Sequence, residues 1–491
     1  MRNTTLTLGL VLTILIGCAP KTQEQVVEQS ADSQYRPAYH FTPASGWMND
    51  PNGLVYFEGE YHLFYQHYPD SNVWGPMHWG HAVSTDLVHW EHLPIALYPD
   101  SLGYIFSGSA VVDWENTTGF GTKESPAMVA MYTYHDPVGE RNNTIDFQTQ
   151  GIAYSLDKGR TWTKYERNPV IPNPGIRDFR DPKVSWNSAT EEWNLILAVK
   201  DHVNLYTSPN LKEWTHQSEF GVDLGAHGGV WECPDLFELT DQNGVAKWVM
   251  LVSINPGGPQ SGSATQYFIG DFDGGVFTPM DSVIRWVDYG ADNYAGVTYS
   301  DVPEEDGRRL FIGWMSNWQY ANIVPTYEWR SAMTIPRELK LQNTENGYLL
   351  RSVPVDQMEA VFTNEGANDE LINVSSPIFK LEMDVESSTG AMVLSNDVGD
   401  SLIVSFDENY LTINREKAGK VDFSDVFAAS HQATLNGIEV KSLEVYVDNS
   451  SIEVFVNHGD LVMTDLFFFQ QPVSKVKTSG STLVKYLPTE D

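Results

Sequence analysis

Three acidic residues stand in unusual company along the chain. Asp50 lies in Trp47-Met48-Asn49-Asp50-Pro51-Asn52-Gly53, Asp181 in Phe179-Arg180-Asp181-Pro182, and Glu232 in Trp231-Glu232-Cys233-Pro234-Asp235. Neighbouring aromatics can exclude water and raise a carboxyl pKa, as an acid catalyst at neutral pH needs. Both Asp residues precede Pro, which disfavours the α region and predicts an extended backbone that aims each side chain at a fixed place. Two carboxyl groups on opposite sides of a glycosidic bond are the basic apparatus of glycoside hydrolysis. One attacks or stabilises the anomeric carbon and the other protonates the leaving oxygen. A single Asp-Pro or Glu-Cys pair reads as a structural turn; three such acids in one chain favour chemistry.

Residues so far apart need a scaffold that gathers them. Asp50 and Asp181 are 131 residues apart and Asp181 and Glu232 are 51 apart, which puts them on separate structural units. From Tyr35 to about residue 345 the chain is a series of short β-like runs punctuated by Gly, Pro, Asn and Asp, without sustained helical periodicity. A weak repeat runs through it: Ser84-Thr85-Asp86-Leu87 before Trp90, Ser155-Leu156-Asp157 before Trp162, and Ser208-Pro209-Asn210-Leu211 before Trp214. Repeats of this size predict propeller blades of four strands, and about 60 residues per blade gives about five blades. Beyond about residue 355 the pattern becomes strict alternation, in Phe379–Val385, Leu443–Val447 and Ile452–Val456, as in antiparallel strands with one buried face. The expected fold is all-β: a five-bladed propeller over 37–345 followed by a β-sandwich over 355–491, with a boundary near 345–355, suggested by the polar turn cluster Gln342–Gly347.

Composition narrows the partners. With 30 Lys+Arg against 65 Asp+Glu the net charge is −35, which repels nucleic-acid phosphates. Fifteen Trp and 23 Tyr offer flat faces with polar handles, suited to neutral sugars. The two cysteines, Cys18 and Cys233, exclude a disulfide framework and a Cys-rich zinc site. His62, His67, His78 and His81 lack a compact ligand spacing, so no metal is expected. The apolar run from Leu6 to Gly17 is too short to span a membrane and fits the h-region of a secretory signal. It ends in Leu15-Ile16-Gly17-Cys18, which resembles a bacterial lipobox with Cys18 as the lipidated residue. Residues 1–18 then form a lipoprotein signal and 19–36 a flexible tether. The expectation is an exported lipoprotein, periplasmic or at the cell surface, held at the membrane only by its lipid anchor.

Read in order, Trp47–Gly53, Phe106-Ser107-Gly108-Ser109, Arg180-Asp181-Pro182 and Trp231-Glu232-Cys233-Pro234 resemble the motifs of glycoside hydrolase family 32, which contains invertases, inulinases and levanases. The likeness continues through Trp314–Trp318, Ile335–Leu339 and Ser451–Val456 and covers almost all of the chain after the tether. It implies a five-bladed propeller joined to a β-sandwich, no cofactor, and retaining hydrolysis of terminal β-D-fructofuranosyl residues from levan, inulin or sucrose. Asp50 would be the nucleophile and Glu232 the general acid, then base. Asp181, beside Arg180, would hold fructose hydroxyls and stabilise the oxocarbenium-like transition state. Trp47, Asn49, Gln66, Trp74, Phe106, Ser107 and Trp314 would shape the fructose pocket. Retention requires the Asp50 and Glu232 carboxyl groups about 5–5.5 Å apart, against roughly 6.5–9.5 Å for inversion. Likeness around Gly108–Asp113 and Trp314–Arg330 favours exo action. Endo-levanase action or fructosyl transfer would use the same acids. A non-catalytic, lipid-anchored glycan-binding propeller would keep the aromatics but has no reason to keep three carboxylates in this order.

Overall fold

The computed structural model describes residues 33–365 and 371–487. Cys18, the apolar run and most of the expected tether lie outside them. The tether ends earlier than expected: Ser33–Tyr35 forms a single 3-10 turn, and Tyr35 is buried with its carbonyl accepting from Ser450 Oγ at 2.7 Å.

Strands dominate, as the punctuation of the sequence predicts. Five mainly antiparallel sheets follow one another along the chain, opening with Gly46–Phe57, Tyr104–Asp113, Phe179–Asn187, Val230–Thr240 and Tyr294–Thr298. The weak repeat has a structural counterpart. Each copy links the third strand to the fourth in the first three sheets. Ser84 Oγ accepts from Leu87 N at 2.8 Å, Ser155 Oγ from Gly159 N at 2.8 Å and Ser208 Oγ from Asn210 N at 3.1 Å. These are side-chain-to-backbone turns, the local bonding that draws Ser, Asp and Asn out of regular strands. Trp162 and Trp214 then donate back to the turn, to Gly159 O at 3.0 Å and Leu211 O at 3.2 Å.

The first strand of each sheet packs against the first strand of the next, and that of the fifth packs against that of the first. Backbone bonds join the ends of this circuit. Tyr56 N donates to Ser300 O at 3.0 Å, Ser300 N to Leu54 O at 2.9 Å, and Gly46 N to Glu328 O at 2.9 Å. The Gln342–Gly347 cluster, expected at a module boundary, is instead the turn of a hairpin pairing Arg337–Thr344 with Gly347–Pro354, so the fifth sheet runs on to Pro354. A polar turn looks the same in sequence whether it joins two strands or two modules.

Two six-stranded sheets follow, sharing one apolar core that includes Phe379, Leu381, Val445 and Val454 from one and Leu394, Leu402, Ile413 and Ala433 from the other. This sandwich docks on the five-sheet module through buried charge. Arg337 donates to Asp288 at 2.9 Å, to Thr464 Oγ1 at 2.8 Å and to Glu453. His40 bridges Asp448 at 2.8 Å and Glu453 at 2.9 Å. Burial opposes its charge, yet the two carboxylates hold the imidazolium up to about 9. Arg415 adds a bond to Asp292 at 2.7 Å. Removing one partner from such a cluster strands the other charges without water. Arg337→Met should therefore cost about 3–5 kcal/mol, read as a lowered denaturant midpoint. An unchanged midpoint would mean that water replaces the guanidinium at no cost.

Candidate active site

The five first strands all break their pairing register near one end. The breaks fall between Met48 and Pro51, Ile105 and Gly108, Arg180 and Lys183, Glu232 and Asp235, and Tyr294 and Val297. Bulges bend a strand and re-aim its side chains, and here they coincide with the acids singled out from sequence. The backbone at Asp181 is not extended as expected. It is left-handed, with φ +63°, and Cys233 and Ala295 follow suit at +44° and +53°. The proline rule excludes the right-handed α region but leaves the left-handed one, which Asp tolerates better than most residues. Such conformations cost about 1–3 kcal/mol each and persist only where surroundings hold them. The hold at Asp181 is its N–H, which donates to Thr133 Oγ1 of the second sheet at 2.9 Å.

Asp50, Asp181 and Glu232 come from the first, third and fourth sheets and share a common set of partners. Ser107 Oγ donates to Asp50 Oδ2 at 2.6 Å and Asn49 Nδ2 to Oδ1 at 3.0 Å. The Cys233 thiol lies 3.6 Å from Asp50 Oδ2 and 3.7 Å from Asp181 Oδ2, and the Cys233 N–H donates to the latter at 3.1 Å. Arg180 donates to Glu232 Oε1 from Nη2 at 3.0 Å and from Nε at 3.3 Å. On its other side Asp178 anchors it at 2.8 Å. The Tyr294 hydroxyl donates to Glu232 Oε2.

The other residues read from sequence fall into two layers. Phe106 and Trp74 line the outer side. Phe106 is backed by His135, stacked at 4.2 Å between centroids, and meets Trp74 edge-on at 6.1 Å. Trp74 is 39% exposed. Gln66 is buried and donates to Ile105 O at 3.1 Å. Trp47 and Trp314 have no exposed surface. They are packed as supports rather than presented as accessible faces: Trp47 Nε1 orients Asn49 Oδ1 at 2.7 Å, and its ring lies 6.1 Å from that of Trp314. Tyr294 and Thr133 were not legible as site residues. Tyr294 follows Asp292-Asn293 at the start of the fifth sheet's first strand, and only its equivalence in register to Glu232 would have drawn attention to it. Among the described residues, no three His, Cys, Asp or Glu side chains are grouped to hold a metal ion.

Crowded carboxyl groups resist ionising together. Burial lifts Asp181 to about 7, with Glu232 and Asp50 adding to the effect and Arg180 opposing it. Burial, then the Glu232 charge, also raises Asp50, against the pull of the Ser107 and Asn49 hydrogen bonds. The Cys233 thiol is pushed well above its ordinary range by burial and all three acids, so it stays protonated. The cluster thus retains a proton near neutral pH. A carboxyl whose folded pKa exceeds its unfolded value of 3.8 binds its proton more tightly in the native state. Its contribution to stability is intact below the unfolded value and is lost as pH rises through the folded one. Asp181→Asn removes that loss, so its unfolding temperature should exceed the wild type's at about pH 8 and converge with it toward pH 4. A variant less stable than wild type at about pH 8 would show that the carboxylate is a net support.

A cradle of three acids and one arginine, built from bulges in different sheets, suits acid–base chemistry at a sugar carbon. Comparison with known proteins agrees with it. Residues 40–353 match the glycosyl hydrolases family 32 N-terminal domain and 350–485 match the family 32 C-terminal domain. A levanase of Bacillus subtilis is 50% identical over 459 residues, covering 89% of this chain and 66% of its own, so this chain spans just under two thirds of that relative. An extracellular exo-inulinase of Aspergillus niger is 39% identical, covering 89% of this chain and 90% of its own. The crystal structure of an exo-inulinase from Aspergillus awamori superposes with a TM-score of 0.84 at 36% identity, covering 93% of this chain and 98% of that one. A β-fructofuranosidase from Schwanniomyces occidentalis, complexed with fructosyl-erythritol, gives 0.82 at 33% identity, covering 93% and 99%. By both its domains and their order, the chain belongs to glycosyl hydrolase family 32 and is a glycoside hydrolase.

Proposed function

We propose that the protein removes terminal β-D-fructofuranosyl residues from fructans such as levan and inulin, and from sucrose, releasing fructose with its anomeric configuration kept. Asp50 attacks C2 of the terminal fructose while Glu232 protonates the departing oxygen. Water, deprotonated by Glu232, then attacks C2 and frees Asp50. Asp181, beside Arg180, holds fructose hydroxyls and, as the carboxylate, offsets the positive charge that develops on the ring. The observation that carries this reading is the meeting of Asp50, Asp181 and Glu232 around Cys233 and Arg180. The names of the levanase and exo-inulinase relatives support the fructan substrate. The cyclic packing of the five first strands supports the five sheets as blades of one propeller, with the acids at its axis.

The test is purified protein incubated with levan, inulin and sucrose, the products resolved by size over time. Exo action gives free fructose from the first minutes. Early oligofructans would make the enzyme endo-acting, and growth of larger saccharides would make it a fructosyltransferase. No release from any of the three would leave a non-catalytic binder. We further propose that Cys18 carries the lipid that holds the exported enzyme at the membrane, and Cys18→Ala should move it from the membrane fraction to the soluble one.

A further inference from the structure

A cleft away from the active site takes no part in the chemistry above. It lies where segment 283–289 of the fourth sheet, the hairpin 342–350 of the fifth and the sandwich loops 434–441 and 457–462 converge, and it encloses about 620 Å³. That is the size of a ligand pocket, about 300–1,000 Å³. None of the acids or aromatics assigned to the active site lines it.

Its chemistry is that of a sugar site. Trp286, Tyr289 and Tyr348 line it and are each partly exposed, supplying flat apolar surface. Between them stand polar groups with hydrogen-bonding capacity left over. Gln342 Oε1 is buried and has no partner among the described residues. The amides of Asn346 and Asn436 also face this cleft and make no side-chain hydrogen bond among the described residues. Charged ligands are poorly served. The lining cations are already matched, Arg285 by two 2.8 Å bonds to Asp281 and Lys441 by Glu439 at 3.4 Å. The remaining carboxylate, Asp460, is taken by Arg351 at 2.9 Å.

The cleft is also preformed. Tyr289 N donates to Val462 O at 2.8 Å, and Gln260 Nε2 bridges Tyr289 O and Gln432 O, both at 2.9 Å, stitching the two modules together beside it. A rigid wall lowers the entropic cost of binding. We infer that this cleft is a second, non-catalytic site that binds the neutral polysaccharide whose ends the active site shortens. Holding the polymer there raises the local concentration of chain ends without a new contact at the reacting sugar. The identity of that polymer as a fructan rests on the proposed function.

The inference is tested with Glu232→Gln protein, which cannot erode its ligand, run in native gels cast with levan. Levan should retard it, and saturating free fructose should leave that retardation in place. Trp286→Ala should weaken the apparent affinity at least fivefold, and so should the double variant Asn346→Ala/Asn436→Ala, which alters only polar groups at the cleft and guards against misfolding of the first. In the active background both should keep kcat/KM on sucrose within twofold of wild type and lose efficiency on levan. Retardation abolished by free fructose, or unchanged in both variants, would overturn the second site alone. Wild-type protein that releases no fructose from levan would overturn the proposed function, and this inference with it.

Discussion

Asp50→Asn is expected to lower kcat on sucrose and levan by on the order of 10⁴-fold or more, while substrate binding stays measurable. An amide has the shape of the carboxylate but cannot form the ester with C2 on which a retaining pathway depends. The geometry gives little reason for the fold to suffer. Asp50 is held by Ser107 and Asn49 side chains, and an amide oxygen can still accept one of those bonds. Burial and the neighbouring Glu232 already work against its charge, so a neutral residue relieves the cluster. The variant should match or exceed wild type in thermal midpoint while losing turnover. Fructose release above about a tenth of the wild-type rate would remove Asp50 from the mechanism.

Glu232→Ala should divide substrates by their leaving groups. A general acid contributes typically 10²- to 10⁴-fold, and that help matters most when the departing oxygen is strongly basic. Sucrose and levan should lose the full factor. A β-fructofuranosyl fluoride needs no proton to depart, so its first step should survive while the second, which needs Glu232 as base, stalls. The fructosyl–Asp50 ester should then accumulate and appear by intact mass. Azide, which needs no base, should restore turnover and give the β-configured fructosyl azide. Equal losses in the first step on sucrose and on the fluoride would deny Glu232 its role as acid, and an α-configured azide would deny retention. Arg180 and Tyr294 both donate to Glu232, so the alanine also frees a guanidinium and a phenol, and the fluoride serves as the internal control for that disturbance.

Much of this protein could be read along the chain because much of it is decided locally. Ser84, Ser155 and Ser208 open turns that bond to backbone within four residues, and so they recur as a visible pattern. Alternation in Phe379–Asp384 reports a sheet with a buried face, because side chains in a strand point to opposite sides with period two. Ser451–Val456, expected to bury one face, buries both, since Phe455 packs into the core of the five-sheet module. The three acids could be picked out for the company they keep with Pro, Cys and aromatics in short motifs. What these features share is short range: the residues that make the signal are also the residues that touch.

The tertiary structure decided the rest. Asp50 meets Cys233 across 183 positions, and Tyr294 reaches Glu232 across 62, separations at which no periodicity survives. The left-handed turn at Asp181 depends on Thr133 in another sheet, and the burial of Trp47 and Trp314 on each other. The hairpin turn at Thr344–Gly347 suggested a module boundary because a turn's composition does not say what lies on either side of it. Arg337 and the cleft at the module junction need both modules in place before they exist at all. Local bonding writes its own pattern into a sequence, whereas contacts made by closing sheets on one another are paid for by the whole chain and leave no mark at any one place in it.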